Sequence, residues 1–226
     1  MNLFDVGAPY WVTPEYAESR IQTAWIGQCL SNSWISSLIR YGTQGVHSHS
    51  QMFLRNGGNK LDVLEIREFI GGRRNTFNFQ VKQNMRIDVF SYDPQRWPEF
   101  DPQKATDAMR TLTDCDYGWM GILSMAMRRI PLAWHMYPPT TDDRLPSPDE
   151  PIRQPFCSHA VCLATQIGGV DPVPRCPNWL VTPSQLTFSL FYQYEFSIAN
   201  PWSVRYYGDT IMEEAIRNSQ EGNDGN

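Results

Sequence analysis

The chain has 226 residues, 41% of them hydrophobic and 13% aromatic, which is ample for a packed core and far from the composition of a disordered polypeptide. Its net charge of -5 and pI near 5.4 argue against an electrostatic nucleic-acid binder, which needs clustered Lys and Arg to neutralise phosphates. The basic pairs Arg73-Arg74 and Arg128-Arg129 are isolated and read as solvated faces.

The length fits one domain, expected over residues 1–218 with a flexible polar tail over 219–226. The five cysteines, Cys29, Cys115, Cys157, Cys162 and Cys176, form an odd set without disulfide spacing. They read as reduced thiols, mostly buried as small hydrophobes. Cys157 and Cys162 have no matching second pair, so they give no support to a zinc site. The start, Met1-Asn2-Leu3-Phe4-Asp5, lacks a basic and an apolar region, so no signal peptide is expected and a cytoplasmic or virion-associated location is. The apolar stretch from Trp119 to Trp134 is interrupted by Arg128-Arg129 and is too short to span a bilayer.

In chain order, residues 14–26 read as a helical or mixed segment leading into Ile26-Gly27-Gln28. Ser31-Asn32-Ser33 is an N-cap cluster, and Trp34, Ile35, Leu38 and Ile39 follow at helical spacing until Gly42 and Gly45 end the helix. Val46 to Leu54 alternates as a strand, with His47, His49, Gln51 and Phe53 on one face. Asn56-Gly57-Gly58-Asn59 predicts a hairpin turn, with Leu61 to Phe69 as the returning strand and Gly71-Gly72 breaking it. Phe77 to Tyr92 is expected to carry a third alternating strand.

Asp101 to Asp114 and Tyr117 to Arg129 read as helices. Tyr137 to Pro155 is proline-rich and acidic without periodicity, and is expected to act as a lid-like loop beside the segment it runs into. Cys157 to Gly168 reads as a helix with a small-residue face, and Thr182-Pro183-Ser184-Gln185-Leu186 as a capped helix start. Phe188 to Tyr207 is aromatic-rich and reads as strand or irregular structure.

The chemistry centres on Pro155-Phe156-Cys157-Ser158-His159 and Ser48-His49-Ser50. A cysteine that opens a helix sits where the unpaired N–H groups favour a thiolate. A histidine on a separate strand is the natural base for it. His49 ranks first for that role and His47 second, since periodicity puts both on one face. His159 is two residues from Cys157 on the same helix, which points it away from the sulfur. Glu65 shares a face with Leu61 and Val63, and a carboxylate on an apolar face requires a partner. The hairpin brings it beside His49, where it would hold the imidazole in its tautomer. Asp62 and Glu68 are the alternatives. Cys162, inside the helix, is expected to be inert.

These segments resemble, in order, the permuted branch of the NlpC-type papain-like cysteine hydrolase superfamily (YiiX-like or lecithin:retinol acyltransferase-like), in which the base precedes the nucleophile. Trp25-Ile26-Gly27 with Ser33 to Arg40 resembles the opening turn and helix, and Val46 to Met52 resembles the "SH" strand, with the base at His49. Val63-Leu64-Glu65 resembles the next strand with its polar residue, and Asp116-Tyr117-Gly118 the aromatic turn. Phe156-Cys157-Ser158 resembles the "CS" helix start, and Leu180 to Leu186 the closing "TPxxL" segment. The likeness covers roughly residues 25 to 190 and departs from the pattern at His159, where many relatives are acidic, and in the long loop before Cys157.

The resemblance implies a circularly permuted papain-like α+β fold, with a small antiparallel sheet packed on helices. It implies a cysteine hydrolase (peptidase or amidase) with catalytic Cys157, His49 and Glu65 and an oxyanion hole using the backbone at Cys157 or Ser158. The substrate would be a peptide, amide or acyl compound, with cell-wall peptide one option and no metal or cofactor. Two other readings stay open. One is a non-enzymatic structural or interaction protein, such as a virus-particle component, that retains the fold. The other is a lipid-directed acyl hydrolase or acyltransferase with a groove lined by Trp119, Met120, Ile122 and Trp134.

Overall fold

Alternation over Val46–Leu54 and Leu61–Phe69 becomes two neighbouring strands of a mixed sheet in the computed structural model, which describes residues 9–57, 60–68, 70–114, 116 and 155–222. The strands are β1 (Trp11–Val12), β2 (Ile26–Leu30), β3 (His49–Arg55), β4 (Leu61–Arg67), β5 (Gly71–Thr76), β6 (Arg86–Tyr92) and β7 (Tyr192–Ile198). Their spatial order is β1-β7-β6-β2-β3-β4-β5. Only the short β1–β7 pair is parallel. The β3–β4 hairpin closes with Asn56 N–H donating to the Lys60 carbonyl at 2.9 Å. Its register sets Gln51 opposite Glu65, so Glu65 lies diagonally from His49 on the next strand.

Eight α-helices are described: α1 (Pro14–Arg20), α2 (Trp34–Thr43), α3 (Phe77–Gln83), α4 (Pro102–Leu112), α5 (Cys157–Ile167), α6 (Pro183–Leu186), α7 (Pro201–Tyr207) and α8 (Thr210–Glu221). Most begin on the cap that sequence chemistry provides. Thr13, Ser33, Thr76, Asp101, Thr182 and Asn200 each accept a first-turn N–H, and Thr182 with Gln185 completes a capping box.

Two apolar layers sandwich the sheet. Met52, Leu54, Leu64 and Ile66 pack with α4 residues Ala105 and Met109 and α5 residues Ala160, Val161 and Ala164. Phe53, Leu61, Val63, Ile87 and Val89 pack with Ala17 of α1 and Phe77 and Val81 of α3. The small face of α5 lets it lie close to α4. A Cβ on Gly168, the residue that ends α5, would lie 2.6 Å from a Phe100 ring carbon and 2.9 Å from Ala105 Cβ.

Several expectations are corrected. The segment from Phe77 is helical up to Gln83 before β6 begins. Thr76 caps it, and Phe77, Gln80 and Val81 are buried at helical spacing. Gly71-Gly72 follows the end of β4 as expected, but it also opens a further strand, β5, that the sequence reading does not place. Gly71 takes a φ of 83° that favours glycine and turns the chain into β5. That strand, Gly-Gly-Arg-Arg-Asn-Thr, carries no apolar alternation because it is an edge strand. Phe188–Tyr207 resolves into β7 and α7, with Asn200 as the cap and Pro201 in the first turn. Ser219, Gln220 and Glu221 belong to α8, and Ser219 is buried, accepting the Thr13 N–H at 3.0 Å. Tyr117–Arg129, most of the 137–155 loop, the groove residues Trp119, Met120, Ile122 and Trp134, and the end of the tail lie outside the described residues.

Gly168→Ala should destabilise the fold by about 1–3 kcal/mol, since a methyl group there must displace Phe100 or Ala105. A urea titration should show a lower midpoint with an unchanged slope. An unchanged midpoint would mean that the α4–α5 contact is looser than described.

Candidate active site

Glu65 is fully buried on β4, between β3 and the edge strand β5. A lone carboxylate there would be strongly disfavoured, and the fold surrounds it with donors. Its Oε2 meets His49 Nε2 at 2.7 Å. Its Oε1 accepts from Arg73 Nε at 2.6 Å, from Asn75 Nδ2 at 2.9 Å and from Gln80 Nε2. Burial alone would raise the Glu65 pKa, but the His49 bond and charge, then Arg73 and Arg67, bring it down to about 2.

The other edge of the imidazole belongs to Cys157. Burial alone would lower the His49 pKa. The hydrogen bonding and charge of Cys157 and the bond to Glu65 outweigh it and hold the imidazole up at about 10. With Nε2 engaged by Glu65, Nδ1 is the nitrogen left for the sulfur, and its contact falls short of full hydrogen-bond geometry. Catalytic pairs are often loose until substrate tightens them.

Cys157 is the first residue of α5, and Phe156 offers no side-chain cap. The first backbone bond of that turn runs from Ala160 N–H to the Phe156 carbonyl at 2.9 Å. The N–H groups of Cys157 and Ser158 therefore have no helical acceptor and stay available to an anion. The Ser158 hydroxyl is committed elsewhere, donating to the Val181 carbonyl at 2.6 Å, which ties the start of α5 to the segment before α6. Only the backbone of Ser158 can serve an oxyanion.

The structure thus brings Cys157, His49 and Glu65 together. His47 is committed to a different carboxylate, its Nε2 meeting Asp88 Oδ2 at 2.7 Å, while Asp88 Oδ1 accepts from Arg86 Nε and Ser197 Oγ, each at 2.5 Å. Burial would raise the Asp88 pKa, but the His47 bond and charge and Arg86 lower it. His159 packs against the Phe156 ring at 5.6 Å, and burial lowers its pKa to about 4, so it stays neutral at ordinary pH. Asp62 bonds Arg74 and Asn56 instead of a histidine, and Glu68 lies past the end of β4. Cys162 donates to Asn178 Oδ1 at 2.9 Å from within α5.

Sequence reasoning missed the donors behind Glu65. Arg73, read as a solvated face, is the cross-strand partner of Glu65. That pairing is visible only once Gly71–Thr76 is recognised as a strand. Gln80 is reached only once Phe77–Gln83 is recognised as a helix. Among the described residues no group of three or more His, Cys, Asp or Glu side chains could hold a metal ion, and no helix is long and apolar enough to cross a membrane.

No family model and no curated protein matches the chain. Among solved structures it is similar to the crystal structure of metalloprotein yiiX from Escherichia coli O157:H7, of DUF1105, with a TM-score of 0.52 and 14% identity, covering 80% of this chain and 98% of that one. At that identity the likeness shows the fold: the chain has a YiiX-like α+β architecture with a seven-stranded mixed sheet.

The pKa shifts give a pH signature. His49, raised from 6.5 to about 10, contributes stability that is complete below pH 6.5 and lost as pH rises through about 10. Glu65, lowered from 4.5 to about 2, contributes stability that is complete above pH 4.5 and lost as pH falls through about 2. The difference in urea midpoint between wild type and Glu65→Gln should therefore be largest and flat between about pH 4.5 and 6.5, shrinking on both sides. A difference that keeps growing toward pH 10 would contradict the pairing.

Proposed function

We propose that the chain is a cysteine hydrolase of the permuted papain-like type, acting on an amide or ester carbonyl. The observation that carries this reading is the His49 imidazole held between the Glu65 carboxylate and Cys157 at an uncapped helix N-terminus.

In this reading the Cys157 proton already resides on His49 Nδ1 in the resting pair, and Sγ bonds to the substrate carbonyl carbon. The carbonyl π pair moves to oxygen, and the N–H groups of Cys157 and Ser158 stabilise that oxyanion. On collapse the bond to the leaving nitrogen or oxygen breaks, and the imidazolium protonates it. A thioester on Cys157 remains. His49 then removes a proton from water as the water oxygen attacks, and the sulfur leaves as the thiolate, restoring its pair with the imidazolium. Glu65 accepts the Nε2–H bond throughout, fixing the tautomer that leaves Nδ1 free and favouring the charged ring.

The YiiX structure is described as a metalloprotein. Here Glu65 is bonded to His49, Arg73, Asn75 and Gln80. That donor set, with a guanidinium and two amide NH2 groups on one oxygen, does not fit a resident metal ion.

Cys157 and His49 are nearly covered, so the reagent that tests this must be small. Near neutral pH, iodoacetamide should label Cys157 faster than Cys29, Cys115, Cys162 and Cys176, as resolved by peptide mass spectrometry. His49→Ala should slow Cys157 labelling by about tenfold or more, since the imidazole no longer stands beside the sulfur. Comparable rates at all accessible cysteines, untouched by His49→Ala, would make Cys157 an ordinary thiol and end this reading.

A further inference from the structure

Behind Glu65 lies a chain of buried amides that the catalytic reading does not itself require. Gln80 and Asn84 are fully covered and Ser31 nearly so. Gln80 Nε2 donates to Glu65 Oε1. Asn84 Nδ2 donates to Gln80 Oε1 at 3.2 Å and to the Gln80 carbonyl at 2.9 Å. Ser31 Oγ donates to Asn84 Oδ1 at 2.6 Å.

The direction of this chain is forced. An ionised carboxylate only accepts hydrogen bonds, so Gln80 must present its NH2 to Glu65. Its carbonyl oxygen then faces Asn84, which must present its own NH2. The Asn84 oxygen is left for Ser31, which must donate. Each group has one orientation that satisfies its neighbours, and reversing any of them sets two acceptors against each other. The backbone holds the chain in place. Asn84 ends α3, its N–H donating to the Gln80 carbonyl at 3.2 Å, and its carbonyl accepts from Asn200 Nδ2 at 3.1 Å, at the start of α7.

We propose that Ser31, Asn84 and Gln80 form a directed hydrogen-bond relay whose function is to hold Glu65 ionised and turned toward His49, making them positioning residues for the Cys157–His49 pair. The inference rests on the hydrolase reading. Asn84 and Ser31 act at a distance: neither bonds to Glu65, yet both set which face of the Gln80 amide Glu65 meets. Arg73 and Asn75 hold the same Oε1 from β5, so the relay adds to an anchor on the opposite side.

The test is the pH dependence of Cys157 alkylation by iodoacetamide in four proteins: wild type, His49→Ala, Gln80→Leu and Asn84→Asp. Gln80→Leu removes the donor to Glu65. Asn84→Asp is isosteric and, when ionised, offers Gln80 an acceptor, so the Gln80 amide reverses and turns its oxygen on Glu65. In both variants the pH of half-maximal labelling should move upward by about one unit and the rate at neutral pH should fall about tenfold. A defect that only loosens packing would lower the melting temperature and leave the pH profile in place. Asn84→Asp, which keeps side-chain volume, carries the test should Gln80→Leu not fold. A wild type whose labelling depends on His49, beside folded variants with an unmoved profile, would overturn the relay while leaving the hydrolase reading intact. Labelling in wild type that is independent of His49 would overturn the hydrolase reading and the relay with it.

Discussion

A single buried carboxylate organises this structure. Glu65 sits on β4, one strand in from the edge of a seven-stranded sheet, with no exposure, where an unpaired ion would be disfavoured by several kcal/mol. It is tolerable only because β3 brings a histidine, β5 an arginine and an asparagine, and α3 a glutamine, all to its two oxygens. Those four groups come from three elements that follow one another within the segment from His49 to Gln80, so a local run of chain builds the charged half of the site. The remote half, α5 with Cys157, is delivered separately and packed by its small-residue face onto α4 and the sheet.

His47 and His49 make the same point by contrast. Each is a buried histidine on a buried carboxylate at 2.7 Å. The Asp88 pair is closed off by Arg86 and Ser197, binding β6 to β7. The Glu65 pair has a cysteine on its other side. Identical local chemistry yields a structural clasp in one place and the candidate dyad in the other, and the third group decides which. The missing cap on α5 belongs to the same contrast: six helices cap their first turn with a side chain, whereas Phe156 leaves the N–H groups beside Cys157 unclaimed.

The parts legible in the sequence were those written in apolar periodicity and cap chemistry. Met52 and Leu54 against Phe53 defined β3, Ser33 and Thr182 marked helix starts, and the turn at Asn56 joined β3 to β4 and so linked His49 to Glu65. What stayed hidden was polar. β5 has no buried alternation to betray it, and its Arg73 looks like any surface basic residue until the pairing with Glu65 is known. Phe77–Gln83 has apolar residues that satisfy a strand or a helix equally, and the Thr76 cap decides for the helix. The choice between His47 and His49 could not come from periodicity, because alternation places both on one face. It came from which carboxylate each meets across the sheet.

The central claim is that Cys157 becomes covalently acylated through His49. Intact-protein and peptide mass spectrometry, after brief mixing with a small activated ester, measures that directly. The account predicts a transient mass increase equal to the acyl group, mapped to the peptide carrying Cys157. It should be absent in Cys157→Ala and much slower to form in His49→Ala. An adduct distributed over several cysteines, or one on Cys157 that forms at the same rate without His49, would contradict it.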